Sequence, residues 1–125
     1  MSTTAILTSL AIGLLAGIIA ALCGVGGGVV MVPAFVLLLG LAQKSAVATS
    51  LAVIIPTALV ATVQNTKNGL LVGQWKIILF TAIASTLMAW YGASLLTSMR
   101  NETLTRLFGL VLVIFGARML LQGKA

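Results

Sequence analysis

The residues with the greatest potential for chemistry are four glycines within five positions, in the stretch Leu22–Val30. Apolar runs flank this stretch on both sides. Each glycine weakens a helix by about 1 kcal/mol relative to alanine and leaves backbone N–H groups that lipid cannot satisfy. Membrane proteins tolerate such irregular backbone where it is buried in protein or lines a cavity. The stretch therefore predicts a broken helix at a substrate-binding site.

An anion is the ligand that suits this break. A helix that starts near Val29 exposes its first N–H groups and carries about half a positive charge at that end. Discontinuous helices of transporters use this arrangement near the middle of the bilayer, and glycines let the backbone approach the ligand. The alternative is that the glycines only allow close helix packing. We expect four residues to bind substrate through their backbone: Gly24, Gly26, Gly27 and Gly28.

Three further residues are candidates for the same site. Pro33 lies near the start of the second half-helix, where proline is tolerated and can fix the break. Thr49 and Ser50 begin the next apolar run, and their hydroxyl groups can donate to the oxygens of an anion. Hydroxyl groups in membrane helices also bond their own backbone, so this alternative stays open.

The composition excludes several classes of protein. Of the 125 residues, 61% are hydrophobic and 6% are charged, which is more apolar surface than a soluble domain of this size can bury. The net charge is +6, but the basic residues are scattered among the loops, which indicates anchoring at the membrane boundary and no nucleic-acid binding. The apolar runs contain no Asp, Glu or His, so we expect no catalysis, no metal site and no cofactor.

Five apolar runs predict an all-α polytopic bundle with about four membrane helices. They are residues 5–22, 29–41, 46–63, 77–96 and 104–121. Because the second run is too short for a comfortable crossing, the first membrane helix is expected to be broken or re-entrant at the glycines. We expect residues 1–125 to form a single transmembrane domain. Its expected location is the cell membrane, the inner one in a Gram-negative cell.

Two topologies stay open for the first two runs. One kinked crossing would place both termini on the same side of the membrane, whereas a hairpin would place them on opposite sides. In either case the basic residues divide into two groups, Lys44, Arg100 and Arg106 against Lys67, Lys76, Arg118 and Lys124. Orientation depends on the bias between such groups, and three against four is almost none. We therefore expect two copies to insert in opposite senses.

Motifs along nearly the whole chain resemble those of a known family. They are Gly24–Gly28 with Val32–Pro33, then Ala46–Leu51, then the polar turn Asn65–Gly69 before Trp75, with weaker matches at Tyr91–Ala93, Leu107–Gly109 and Ala117–Leu120. In these residues the chain resembles the TauE/SafE sulfite-exporter-like membrane proteins. Members of that family resemble a tandem duplication in which each half carries the motif, and this chain resembles one such repeat.

The resemblance implies a secondary transporter or exporter of sulfite, organosulfonates or similar small anions. A single repeat would then act as a homo-oligomer, for example an antiparallel homodimer, or would pair with a second half-length subunit. The lipid bilayer and a small anionic substrate are the remaining expected partners. The alternative function is a non-transporting membrane assembly subunit that needs a partner half.

Overall fold

The computed structural model describes residues 2–123, and the regular structure in this range is entirely helical. The five helices are α1 (Thr3–Cys23), α2 (Gly28–Leu39), α3 (Gln43–Lys67), α4 (Trp75–Ser98) and α5 (Asn101–Leu121). All of them except α2 are long and apolar enough to cross a membrane. The 12 residues of α2 extend only about 18 Å, less than the hydrocarbon core. The predicted all-α bundle with four membrane helices and a break at the glycines is confirmed.

Local sequence explains where the first two helices begin and end. The hydroxyl oxygen of Ser2 accepts the N–H of Ala5 at 3.3 Å and caps the start of α1. Gly24 and Gly40 follow the ends of α1 and α2 with φ of +69° and +68°. A left-handed residue at this position ends a helix, and glycine adopts it without steric cost.

Helices α1 and α2 form a hairpin. Gly27, just before α2, lies beside Ala16 and Ala20, near the end of α1. Near the other end of α2, Leu39 lines the same cavity as Ala5, close to the start of α1. The start of α2 therefore lies beside the end of α1, and the end of α2 lies beside the start of α1, so the two helices are antiparallel. Of the two topologies left open above, the structure has the hairpin.

The start of α3 is tied to the end of α4 and the start of α5. The backbone N–H of Lys44 donates to Oδ1 of Asn101 at 3.2 Å, and its Nζ donates to the carbonyl oxygen of Thr97 at 3.1 Å. The start of α1, the end of α2, the start of α3 and the start of α5 consequently lie on one side of the bundle. Ser2 and Gly123 lie on opposite sides.

The basic residues divide between the two sides as the sequence predicts. Lys44, Arg100 and Arg106 lie at or near the side where α3 starts, and Lys67, Lys76 and Arg118 lie towards the other. Lys124, the remaining member of the second group, lies outside the described residues.

The core is small and lies between α1, α2 and α3. It consists of Ile12, Ala16, Met31, Val32, Phe35 and Ala46. Within residues 2–123, α4 and α5 contribute no buried side chain, and Trp90 and Leu120 are 82% and 85% exposed. These two helices therefore present their apolar side chains to lipid or to another membrane helix.

Candidate functional site

The glycine break consists of residues 24–27, between α1 and α2. Gly24, Gly26 and Gly27 have φ of +69°, +71° and +79°. A side chain in this left-handed region costs about 1–2 kcal/mol, so the backbone path itself calls for glycine at these three positions. Gly28 is the first residue of α2 and has no such requirement. The break is thus a built turn that starts α2 in a defined direction.

The break leaves several backbone donors free. The N–H of Gly24 donates to the carbonyl oxygen of Ala20 at 2.9 Å. The carbonyl oxygen of Gly27 accepts the N–H groups of Val30 and Met31 at 3.1 and 2.8 Å. Between Ser2 and Gly123, however, the N–H groups of residues 25–29 form no hydrogen bond with another backbone group. They are donors at the positive end of the α2 dipole, where an anion is favoured.

One glycine of the break serves helix packing. A Cβ added to Gly27 would lie 3.0 Å from Cε of Met31, 3.2 Å from the carbonyl oxygen of Ala16 and 3.4 Å from Cβ of Ala20. Gly27 is buried, and it lets α2 start in direct contact with the backbone of α1. The packing alternative therefore accounts for this position.

The other glycines of the motif have different surroundings. A Cβ on Gly26 would lie 3.4 Å from Cδ1 of Ile54, and one on Gly28 would lie 3.5 Å from the same atom. Around Gly24 no atom lies within 4 Å of the Cβ position. Packing against α1 therefore does not account for Gly24, Gly26 and Gly28, which lie towards α3 or open space.

A cavity of about 190 Å³ opens beside the break, where α2 no longer lies between α1 and α3. Gly24 and Gly26 line it together with Ala20 and Ala21 of α1 and, from α3, Thr57, Ala58, Ala61, Thr62 and Asn65. The hydroxyl of Thr57 donates to the carbonyl oxygen of Val53 at 2.9 Å. The hydroxyl of Thr62 and the carboxamide of Asn65 form no hydrogen bond with the other described residues. Both side chains are available to a ligand.

The three other predicted site residues lie away from this cavity. Thr49 lines a second, mostly apolar cavity of about 460 Å³ with Met31 and Phe35. Ser50 is 2% exposed, and its hydroxyl donates to the carbonyl oxygen of Val47 at 2.8 Å. This is the alternative in which a hydroxyl group bonds the backbone of its own helix.

Pro33 lies inside α2, half-buried, at the sixth residue of the helix. Because proline has no N–H, the carbonyl oxygen of Val29 lacks its usual helical partner. Pro33, Thr49 and Ser50 therefore do not join the glycines in one cluster.

Thr57, Thr62 and Asn65 were not selected from the sequence for this site. A weak signal for two of them exists, because Thr57, Ala61 and Asn65 recur every four residues and so share one face of α3. That face meets the glycines only because α2 begins at Gly28, so α2 does not cover the part of α3 that lies beyond its first residue.

Comparison with known proteins gives a family. The profile of a family described as Sulfite exporter TauE/SafE matches residues 9–125. The chain is 30% identical over 118 residues to "Probable membrane transporter protein YunE" of Bacillus subtilis (strain 168), which covers 91% of this chain and 41% of that protein. It is also 30% identical over 128 residues to a "Probable membrane transporter protein" of Haemophilus influenzae (strain ATCC 51907 / DSM 11121 / KW20 / Rd), covering 97% and 48%.

The chain thus spans a little less than half the length of these two curated relatives. No solved structure matches it.

Proposed function

The chain belongs to the Sulfite exporter TauE/SafE family, and from this membership we propose that it works in a secondary transporter of small anions such as sulfite or organosulfonates. Both relatives carry names that describe membrane transporters. The proposed activity moves the substrate across the cell membrane without changing it chemically, so no catalytic residue or cofactor enters the proposal.

One observation carries this proposal: the free N–H donors of residues 25–29 lie at the positive end of α2, beside the 190 Å³ cavity. A water molecule takes up about 30 Å³ of liquid, so the cavity has room for an anion of a few heavy atoms with some of its water. Among the described residues, no carboxylate lines this cavity to repel an anion. Glu102 lies at the start of α5, 3.8 Å from the guanidinium of Arg100.

In this proposal the predicted site residues have different roles. The N–H groups of Gly26, Gly27 and Gly28 bind the anion, and Gly24 turns the chain beside the cavity that Gly24 and Gly26 line. Pro33 helps to hold the direction of α2.

Two residues act beyond the break. Thr49 contacts the anion in the second cavity, on the route towards the side where α3 starts. Ser50 is a small buried residue of α3, and its hydroxyl stays bonded to the carbonyl oxygen of Val47 in the same helix.

The proposed transporter is an oligomer. The support is that α4 and α5 contribute no buried side chain within the part of the chain described. Phe108 of α5 packs against the core, and most of the other apolar side chains of these two helices remain exposed for contact with another subunit. An antiparallel homodimer and a pairing with a second half-length subunit both fit this surface. The same observation favours the second candidate function, a non-transporting assembly subunit that needs a partner half.

The test is the flux of labelled sulfite into proteoliposomes that contain only this chain. We expect saturable flux that other small anions inhibit. Asn65→Asp places a carboxylate in the cavity and should lower the flux about tenfold or more, because like charges repel strongly in a site with little water. Asn68→Asp is the matched control: it adds the same charge near the same end of α3, at a residue outside the cavity lining.

Two outcomes would contradict the proposal. Equal flux in both variants would mean that the anion does not pass the cavity beside the break. Absence of flux from protein shown to be inserted would exclude transport by this chain alone and would support the assembly-subunit alternative.

A further inference from the structure

We infer that Ile54 sets the size limit for the anion that binds at the start of α2. This inference rests on the function proposed above and adds a residue that determines which anions are accepted. It concerns a side chain that neither the sequence motif nor the lining of the two cavities identifies.

Ile54 covers the break from the side of α3. A Cβ built on Gly26 would lie 3.4, 3.5 and 3.6 Å from Cδ1, Cγ2 and Cγ1 of Ile54. A Cβ built on Gly28 would lie 3.5 Å from Cδ1. Most of the Ile54 side chain therefore lies within van der Waals range of the Cβ positions of Gly26 and Gly28. The open cavity begins about one helical turn further along α3, at Thr57 and Ala58.

On the α1 side of the break, the atoms of α1 are less able to move aside for a ligand. On that side a Cβ built on Gly27 would lie 3.2 Å from the carbonyl oxygen of Ala16 and 3.4 Å from the Cβ of Ala20, atoms that move only with α1 itself. The nearer Cε of Met31, at 3.0 Å, belongs to α2. Ile54 instead presents the free end of a side chain with two rotatable bonds. An anion that binds the N–H groups of Gly26, Gly27 and Gly28 therefore makes room on the α3 side, where it displaces the Cδ1 methyl group of Ile54.

An apolar wall of this kind selects by volume. It offers no charge or hydrogen bond to the ligand, so every sulfonate head group meets it in the same way. What changes between ligands is the size of the group attached to the head. One methylene more or less against an apolar wall changes discrimination between ligands about tenfold or more. The position of Cδ1 thus decides how large an anion the break accepts.

The experiment measures flux for a series of alkanesulfonates (methane-, ethane- and propanesulfonate) in proteoliposomes. These anions share one head group and one charge, so only their volume differs. In the unchanged protein we expect flux to fall along the series. Ile54→Ala should raise the ratio of propanesulfonate to methanesulfonate flux about tenfold. Ile54→Val removes only Cδ1, should raise the ratio less, and disturbs the fold least.

The matched control is Ile55→Ala. Ile55 is the next residue of α3, has the same side chain and is 71% exposed. Its truncation removes the same atoms from the outer face of α3 and should leave the flux ratio unchanged. The stabilisation of each detergent-solubilised variant by the same three anions, measured by thermal unfolding, gives a second readout that does not require transport.

The outcomes separate this inference from the proposed function. A flux ratio that is the same in Ile54→Ala, Ile54→Val and Ile55→Ala would overturn the role of Ile54 while transport stands. No flux, but a size limit for stabilisation that shifts only in the Ile54 variants, would support the role of Ile54 and contradict transport. Neither flux nor stabilisation by any of the three anions would overturn both.

Discussion

Gly24 and Gly69 share a backbone conformation and differ in location. Their φ values are +69° and +74°, and both have open space around the Cβ position. Alanine should therefore cost both positions a similar strain of about 1–2 kcal/mol. Gly24 lies in the glycine break and lines the 190 Å³ cavity, whereas Gly69 lies in the loop between α3 and α4. Comparing alanine substitutions at these two glycines therefore distinguishes an effect on the site from an effect on stability.

We predict that Gly24→Ala lowers sulfite flux strongly, because the new methyl group enters the cavity and the strained turn shifts the N–H donors. Gly69→Ala should retain most of the flux. Both variants should lose similar thermal stability in detergent. Proteoliposome flux and thermal unfolding measure the two effects. If the two variants lost flux equally, the glycine break would have only a structural role.

Gly27 would be a poor choice for the same test. Its added Cβ would meet Cε of Met31 at 3.0 Å and the carbonyl oxygen of Ala16 at 3.2 Å. A loss of flux in such a variant would mix disturbed packing of the hairpin with loss of binding.

Helix α3 starts without a side-chain cap of its own, because the preceding residue is Ala42. Asn101, the first residue of α5, takes this role by accepting the N–H of Lys44. A residue from a distant part of the chain therefore satisfies one of the free donors at the start of α3.

We predict that Asn101→Ala lowers the free energy of unfolding by about 1 kcal/mol, the usual contribution of a helix cap. The control is Asn68→Ala, which removes the same carboxamide where it makes no hydrogen bond with the other described residues. Thermal unfolding in detergent provides the comparison. Equal stability of the two variants would show that the hydrogen bond from Lys44 to Asn101 contributes nothing to the fold.

The hairpin of α1 and α2 determines the sidedness of the molecule. Because α2 runs back along α1, the five helices alternate in direction, so the chain starts at the side of Ser2 and ends at the side of Gly123. The basic residues are spread almost evenly over the two sides, so the rule that places positive loops in the cytoplasm selects neither orientation.

We predict opposite sides for the two termini and a mixed orientation in the membrane. Ser2→Cys and Gly123→Cys, each in a Cys23→Ala background, report this through a thiol reagent that does not cross the membrane. Each cysteine should react from outside in about half of the molecules, because the charge bias is too small to orient insertion. Labelling of only one terminus would refute dual insertion, and complete labelling of both would refute the hairpin topology.

The sequence by itself determined the features that depend on local properties. The lengths of the apolar runs set four membrane helices and one short helix, since the thickness of the bilayer is fixed. The glycines placed the break between Cys23 and Gly28, because glycine adopts left-handed backbone at no steric cost. The absence of carboxylates from the apolar runs pointed to an anion.

Only the tertiary structure decided which side chains meet the break. The folding back of α2 against α1 depends on contacts such as that of Gly27 with Ala16, which no local pattern encodes. Because α2 covers only the first half of α3 and begins at Gly28, Thr49 and Ser50 lie away from the break, and Thr62 and Asn65 line its cavity. The sequence shows which residues of α3 share one face. Which of these residues line the cavity depends on where α2 begins beside α3.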